Sequence, residues 1–489
     1  MGIKKNFMYN AAYQILLIIL PLITTPYISR VIGVQGIGIY SYTYSIANYF
    51  VMFAMLGINN YGNRSVAKAR ENREELNYTF SSILLFHFIV SIIAILGYAV
   101  FILSTVNKEN SFIFILQFFF VISSFFDINW FFFGMEQFKL TVVRNTFIKV
   151  LSVFLIFLFV KSKDDLWLYT LILVFSNLVS QLALWPFLIK YVSFTKVSVK
   201  DVFYHFKPCS ILFIPVIAIS VYKIMDKIML GYMSDMIQVG LYENSEKLIS
   251  IPMGLITALG TVMLPKMTNM ISKGQSKKSE VYLSKSMYFV MFIAFGSTFG
   301  LIGMVDIIVP IFLGQEFIGS IKIIKIIAPT ILFLAWANVI RTQYLIPNKR
   351  DKEFLISTII GAIVNFIFNI LLVSEYGSVG AAIGTLLAEI SVALYQTFKV
   401  RNILNIREYL KNTIIYIIPS FIMYLVLKIL ASIFGTKIIT IIMQLLIGGV
   451  IYLLISLFIV VRKNDISILK LVYKNKILKR VLKKLEKYQ

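Results

Sequence analysis

Between Thr79 and Ser104 the chain has no Asp, Glu, Lys or Arg, and stretches of this kind recur along its length. A run of ~20 mostly apolar residues spans the hydrocarbon of a bilayer as a helix. In lipid every backbone N–H and C=O must bond within the protein, and these runs are too long for barrel strands, so they are expected to be helices. Apolar runs between charged breaks lie near 8–31, 38–59, 79–104, 111–133, 142–160, 166–189 and 208–230. Seven more lie near 243–265, 286–313, 322–346, 354–374, 380–398, 413–434 and 438–461. Hydrophobic residues make up 59% of the sequence and charged residues 14%, against about 45–50% and about 25% in soluble domains. The expectation is an all-α polytopic membrane protein of about 14 transmembrane helices, with no room for a large soluble catalytic domain.

Net charge is +24. In a soluble protein that would suggest nucleic acid; here the charge marks orientation. With the N-terminus inside, basic residues favour the inward segments nearly sevenfold, and an even number of spans leaves both termini cytoplasmic. No nucleic-acid partner is needed to explain the charge. The first apolar stretch holds Pro21 and Pro26, runs into Arg30 and lacks a small-residue cleavage site, so it reads as a retained span. One cysteine, Cys209, and two histidines, His87 and His205, exclude an internal disulfide framework, a Cys-based metal site and a His cluster. There is no Walker loop, Gly-x-Ser-x-Gly or His-Glu-x-x-His. No catalytic residue, metal or cofactor is expected.

The chain reads as two six-helix lobes, 1–195 and 196–402, then two additional spans in 403–461 and a tail, 462–489. Arg30-Val31-Ile32-Gly33 followed by Gly36-Ile37-Gly38-Ile39-Tyr40 matches Lys227-Ile228-Met229-Leu230-Gly231 followed by Val239-Gly240-Leu241-Tyr242. Six spans per lobe give both the same orientation, a parallel repeat suited to rocking about a central site. Prolines within spans, among them Pro215 and Pro252, suit bending helices. In the tail, Leu469, Tyr473, Ile477 and Val481 recur every four residues among lysines, a basic amphipathic helix fitted to anionic membrane lipids.

Ionisable groups at membrane depth are costly and usually face a bundle interior or a wet cavity. Lys223, Asp226 and Lys227 share one helical face. Lys247 lies in the next span, Arg30 in the outer part of the first, and Arg64 and Arg341 nearer the cytoplasm. Facing a shared cavity, these residues would bind a substrate carrying phosphate. Asp226 either neutralises Lys223 or carries a coupling ion. The other in-span acids read are Asp127, Asp306 and Glu389, with Glu389 the leading candidate for exchanging a proton or binding Na⁺ and Asp127 behind it. Lys322, Lys325 and Lys428 read as residues snorkelling at helix ends. His87 reads as an interior residue. The aromatic runs Phe118-Phe119-Phe120 and Phe131-Phe132-Phe133, with Trp130 and Trp185, read as lipid and interface contacts.

The stretch Pro26-Tyr-Ile-Ser-Arg-Val-Ile-Gly-Val-Gln-Gly-Ile-Gly-Ile-Tyr40 resembles bacterial polysaccharide flippases of the Wzx-type, O-antigen-like class. Asn60-Tyr61-Gly62-Asn63-Arg64, Gly134-Met135-Glu136-Gln137-Phe138 and Tyr376-Gly377-Ser378-Val379-Gly380 add to the likeness, which extends along essentially the whole chain. It implies the fold of the multidrug/oligosaccharidyl-lipid/polysaccharide exporters. It also implies alternating-access transfer of undecaprenyl-diphosphate-linked oligosaccharide from the cytoplasmic to the outer leaflet of the bacterial cell membrane. Coupling to a proton, sodium or the membrane potential, and work alongside other polysaccharide-assembly proteins, follow from the same resemblance. Arg30 and Arg64 match basic positions of those motifs. An ion-coupled multidrug/cation antiporter of the same fold is the first alternative, though cationic substrates favour an acidic cavity. A membrane polysaccharide polymerase is the second, though it would normally carry a long outer loop.

The orientation is testable in a Cys209→Ser background. Single cysteines replacing Ser276 or Asn464 are expected to react only with membrane-permeant maleimides in intact cells, and those replacing Asn110 or Ser234 with impermeant ones too. Impermeant labelling at 276 would invert the topology.

Overall fold

The structure, a computed structural model, describes residues 16, 19–105 and 110–462. The tail beyond Arg462 and most of the stretch before residue 19 lie outside the described residues. Among the described residues all regular structure is helical, as the lipid constraint on backbone hydrogen bonds requires. The N-terminal helices are α1 (19–31), α2 (Gly33–Met55), α3 (Ile58–Ala69), α4 (Arg73–Thr105), α5 (Ser111–Phe125), α6 (Asn129–Gly134), α7 (Phe138–Phe159), α8 (Leu166–Leu182) and α9 (Trp185–Leu188). There follow α10 (Val199–Tyr204), α11 (Phe206–Met233), α12 (Met236–Ser272), α13 (Ser276–Ile308), α14 (Ser320–Ile327), α15 (Thr330–Ile340), α16 (Asp351–Tyr376) and α17 (Ser378–Val400). The last four are α18 (Ile406–Thr413), α19 (Ile417–Phe434), α20 (Ile438–Met443) and α21 (Gly449–Arg462).

Twelve helical stretches are long and apolar enough to cross a membrane, so the protein is a multi-pass membrane protein. Two expected spans are not among the twelve. The first falls partly outside the described residues. The second is present as α2, a helix of 23 residues, but its serines, tyrosines and glycines make it too polar to qualify by composition. Ser41, Thr43 and Ser45 on it are buried: α2 runs through the protein interior rather than along lipid.

Local signals set the breaks. Asp235 caps α12 by accepting from the Gln238 N–H at 2.8 Å. Pro215, Pro252 and Pro265 sit inside continuous helices, whereas Pro329 stands at the junction of α14 and α15. Pro310 lies in a π-helical turn, Val309–Leu313, that ends α13.

Helices α2 to α8 pack chiefly on one another, and α11 to α17 do the same. Helices α19 and α21 lean on α13 through Met304, Met423, Leu427 and Tyr452. Lys325 and Lys428, read as snorkelling residues, have a partner the sequence did not show. Both bind Asp306 on α13, Lys325 at 2.7 Å, and so tie α14 and α19 to that helix. Trp130, Phe131 and Phe132 also depart from expectation, being fully buried. The chain leaves helical geometry between Phe125 and Asn129, and α6 then folds against α3, turning its aromatic run into the protein.

The two groups of helices meet most extensively along α2 and α12. The paired segments read from the sequence lie face to face there, and the contact is reciprocal. A Cβ on Gly38 would stand 1.7 Å from the Met236 carbonyl oxygen, and one on Gly240 would stand 2.0 Å from the Val34 oxygen. Each glycine meets the residue four before the other. Only residues without a side chain let two backbones come this close.

An interior Gly→Ala change ordinarily favours a helix by up to ~1 kcal/mol. Gly38→Ala and Gly240→Ala are instead expected to destabilise the protein, overpacking the crossing by about 1–3 kcal/mol. Melting of the purified variants reads the difference; a higher melting temperature for both would contradict the crossing.

Candidate functional site

The end of the molecule holding residues 31–38, 160–165, 231–237 and 313–320 is the one the charge pattern assigns to the outside. Just below the α2/α12 crossing at that end, a cavity of about 520 Å³ opens among α11, α12, α15, α16 and α17 and extends towards the inner ends of those helices. Its size suits one small ligand or head group. Every residue lining it comes from the second group of helices. Lys223, Lys227, Lys247, Arg341 and Glu389 all line it, so five residues picked from the sequence converge.

The other four do not line it. Arg30, exposed at the outer end of α1, donates to the Ile311 carbonyl and ties the two halves together. Arg64 is exposed on α3. Asp127 sits in the chain break before α6, where it accepts from the Asn129 backbone and side-chain N–H groups at 2.9 and 2.7 Å. Asp226 is buried behind the cavity wall and is not paired with Lys223. Its Oδ2 accepts from Tyr242 at 2.7 Å and Thr385 at 2.9 Å, and its Oδ1 accepts from Asn369. These donors come from α12, α17 and α16, so Asp226 on α11 gathers four helices around one carboxylate.

Two lining residues had gone unread: Glu243 and Glu246. Lys227 Nζ lies 2.6 Å from Glu243 Oε2 and 3.1 Å from Glu246 Oε2, and Lys247 Nζ lies 3.3 Å from Glu243 Oε1. A signal was available, since Glu243 and Lys247 stand four apart on one helix with the acid N-terminal to the base. The cavity is therefore not uniformly cationic. Lys227 and Lys247 are neutralised in place, whereas Lys223 and Arg341 form no ion pair among the described residues. Arg341 opens a π-helical turn, Arg341–Leu345, and its guanidinium lies 5.4 Å from the Phe354 ring centre. Glu389 is 3% exposed, and its Oε2 has no hydrogen-bond donor among the described residues. Along the helices Arg341 stands innermost, Lys223 follows, and the Lys227–Glu243 network lies deepest, under the outer crossing.

That crossing is closed by polar contacts. Glu316, between α13 and α14, binds Lys163 at 2.5 Å and accepts from the Val34 N–H at 3.1 Å. Both donors stabilise the ionised form and hold the Glu316 carboxyl below the usual carboxylate range. Below this contact, Ser41 on α2 donates to Glu243 Oε2 at 2.8 Å, and Asn244 donates to Ser29 at 2.9 Å.

The family described as "Polysaccharide biosynthesis protein" matches residues 3–271. A protein named "Putative O-antigen transporter" from Escherichia coli (strain K12) is 24% identical over 408 residues, 82% of this chain and 97% of that protein. Another of the same name from Shigella dysenteriae is 22% identical over 399 residues, 80% of this chain and 98% of that protein. Among solved structures, "Lipid II flippase MurJ, inward closed conformation" aligns with a TM-score of 0.75 at 18% identity, covering 92% of this chain and 98% of that one. That likeness establishes the fold.

The ion network separates the cavity's lysines by their role in stability. Lys227→Ala leaves two half-buried carboxylates short of their cation and is expected to cost about 1–3 kcal/mol. Lys223→Ala breaks no ion pair and removes an unpaired cation, so it is expected not to destabilise the protein. Thermal unfolding in detergent measures both, and equal losses would contradict the pairing.

Proposed function

The chain belongs to the polysaccharide biosynthesis protein family, which covers more than half of it, and from that premise we propose that it is a flippase for lipid-linked oligosaccharide. The cargo is an oligosaccharide on undecaprenyl diphosphate, moved by alternating access from the cytoplasmic to the outer leaflet of the bacterial cell membrane for surface polysaccharide assembly. The observation that carries this reading is the pair Lys223 and Arg341. Two cations lining one membrane-depth cavity, neither in an ion pair among the described residues, are costly unless an anion comes to them. A diphosphate supplies that anion. Arg offers it a planar two-pronged donor, and Lys a compact point charge.

The family relationship and the names of the relatives support the lipid-linked sugar. The two unpaired cations support the diphosphate, and the undecaprenyl carrier follows from the resemblance read in the sequence. The second half of the molecule grips the diphosphate, and closure of the inner ends with opening of the α2/α12 crossing presents it to the outer leaflet. Asp226, buried among Tyr242, Thr385 and Asn369, and Glu389, inside the cavity, are the groups placed to couple this motion to an ion or to the membrane potential. A cation antiporter would use Glu389, the one cavity carboxylate outside the ion network, and would have no use for Lys223 and Arg341.

Replacing both cations separates the two readings. Lys223→Ala/Arg341→Ala is expected to reduce flipping at least tenfold at unchanged protein level, because the diphosphate would enter without compensation. Lipid-linked oligosaccharide would then accumulate on the cytoplasmic leaflet. Lys223→Arg keeps the charge and is expected to retain part of the activity. Normal surface polysaccharide in the double variant, or improved efflux of an organic cation, would overturn the reading.

A further inference from the structure

One oxygen in the cavity serves two partners. Glu243 Oε2 accepts from Lys227 Nζ at 2.6 Å and from Ser41 Oγ at 2.8 Å. Lys227 belongs to the cavity, and buried Ser41 belongs to α2, on the far side of the interface. The other oxygen, Oε1, takes Lys247. Glu243 is also less than one helical turn from Gly240, where α2 and α12 touch backbone to backbone. The carboxylate that neutralises the deepest cations of the cavity is therefore also one of the groups that tie α2 to α12.

We propose that Glu243 is a positioning residue that couples the arrival of anionic cargo to the opening of the outer crossing. The inference rests on the flippase reading and deepens it. In the empty cavity Glu243 and Glu246 act as internal counter-anions. They occupy Lys227 and Lys247 and leave only Lys223 and Arg341 free to receive an anion. A diphosphate drawn to Lys223 comes within one helical turn of Lys227, since the two lysines share a face of α11. It then competes with Glu243 for both lysines. A carboxylate that loses its two cations at membrane depth is poorly stabilised by one serine hydroxyl. Glu243 turns away, Ser41 loses its acceptor, and α2 is released from α12. Glu246 keeps the system selective: it retains a hold on Lys227, so a weak anion at Lys223 does not release the contact.

This arrangement makes Glu243 costly to cargo binding and favourable to closure, an unusual combination for a side chain in a binding cavity. Its removal has two opposite consequences that no purely structural role combines: cargo binds more tightly, and the crossing opens without cargo.

The test uses the full-length protein in lipid nanodiscs, in a Cys209→Ser background, with farnesyl diphosphate as the probe. Spin labels at Asp164 and Ile318, both exposed on the outer rims of the two halves, report the outer opening as a distance. In the parent a single short distance is expected without probe, and a second, longer one as probe is added. Glu243→Gln is expected to bind the probe about three- to tenfold more tightly, because the lysines are freed, and to show the longer distance without probe. Ser41→Ala removes only the contact to α2. It is expected to show the longer distance and to bind the probe more tightly than the parent, though less tightly than Glu243→Gln, because opening and binding favour each other, and it serves as the test should Glu243→Gln not fold. If the probe binds the parent and the Lys223→Ala/Arg341→Ala variant equally, the flippase cargo reading fails, and this inference with it. If binding needs Lys223 and Arg341, but Glu243→Gln binds no tighter or Ser41→Ala keeps the short distance, the cargo reading stands and the coupling role of Glu243 is overturned.

Discussion

The two halves of this protein touch where two glycines allow backbone to lie on backbone. At Gly38 and Gly240 the crossing of α2 and α12 leaves no room for a methyl group on either side, and what lies around it follows from that closeness. The polar contacts from Glu316 to Lys163 and Val34 lie above it. The buried hydroxyls of Ser29 and Ser41 reach across below it. The cavity begins directly beneath. Contact between backbones is rigid and short-ranged: a small rotation loses it entirely, whereas a seal of long side chains would stretch and persist.

Burying charge at this depth carries its own discipline. Every acid described in the middle of the second half is either paired with lysine or supplied with neutral donors, Glu389 excepted. The pairing is local: Lys227 and Lys247 are satisfied within α11 and α12, and Lys325 and Lys428 within the neighbourhood of Asp306. Lys223 and Arg341 stand out because the same rule is not applied to them. Cations left unpaired amid so much pairing point to a partner that arrives from outside the chain.

Much of the fold could be read directly from the order of apolar runs, because lipid leaves a 20-residue apolar segment few choices. The limits of that reading are instructive. The Trp130 run has the composition of a lipid-facing segment, and only the break before Asn129, which carries no proline or glycine, turns it inward. Helix α2 is a full helix that composition alone would pass over, because its polar residues are buried against protein. In the site, Lys223, Lys227, Lys247, Arg341 and Glu389 were found because charge inside a span is rare. Glu243 and Glu246 were missed because they stand at the start of a span, where an acid draws no notice. Arg30 was placed in the cavity by its neighbours in sequence, yet its reach takes it to the Ile311 carbonyl at the rim. Depth along a helix can be counted from the sequence. Which way a side chain faces across an interface cannot.

The walls of the cavity belong to one half alone. If transport proceeds by alternating access as proposed, whatever it holds keeps the same contacts while the other half swings, and motion of the first half does not by itself tear cargo from its binding groups. Transfer between leaflets then resembles uncovering more than handing over: the bound group stays with its host while the covering changes sides. In such a machine the affinity on the two faces of the membrane differs only by what the moving half adds or withdraws. One hydroxyl reaching from that half to a carboxylate of the other is enough to make the two faces unequal.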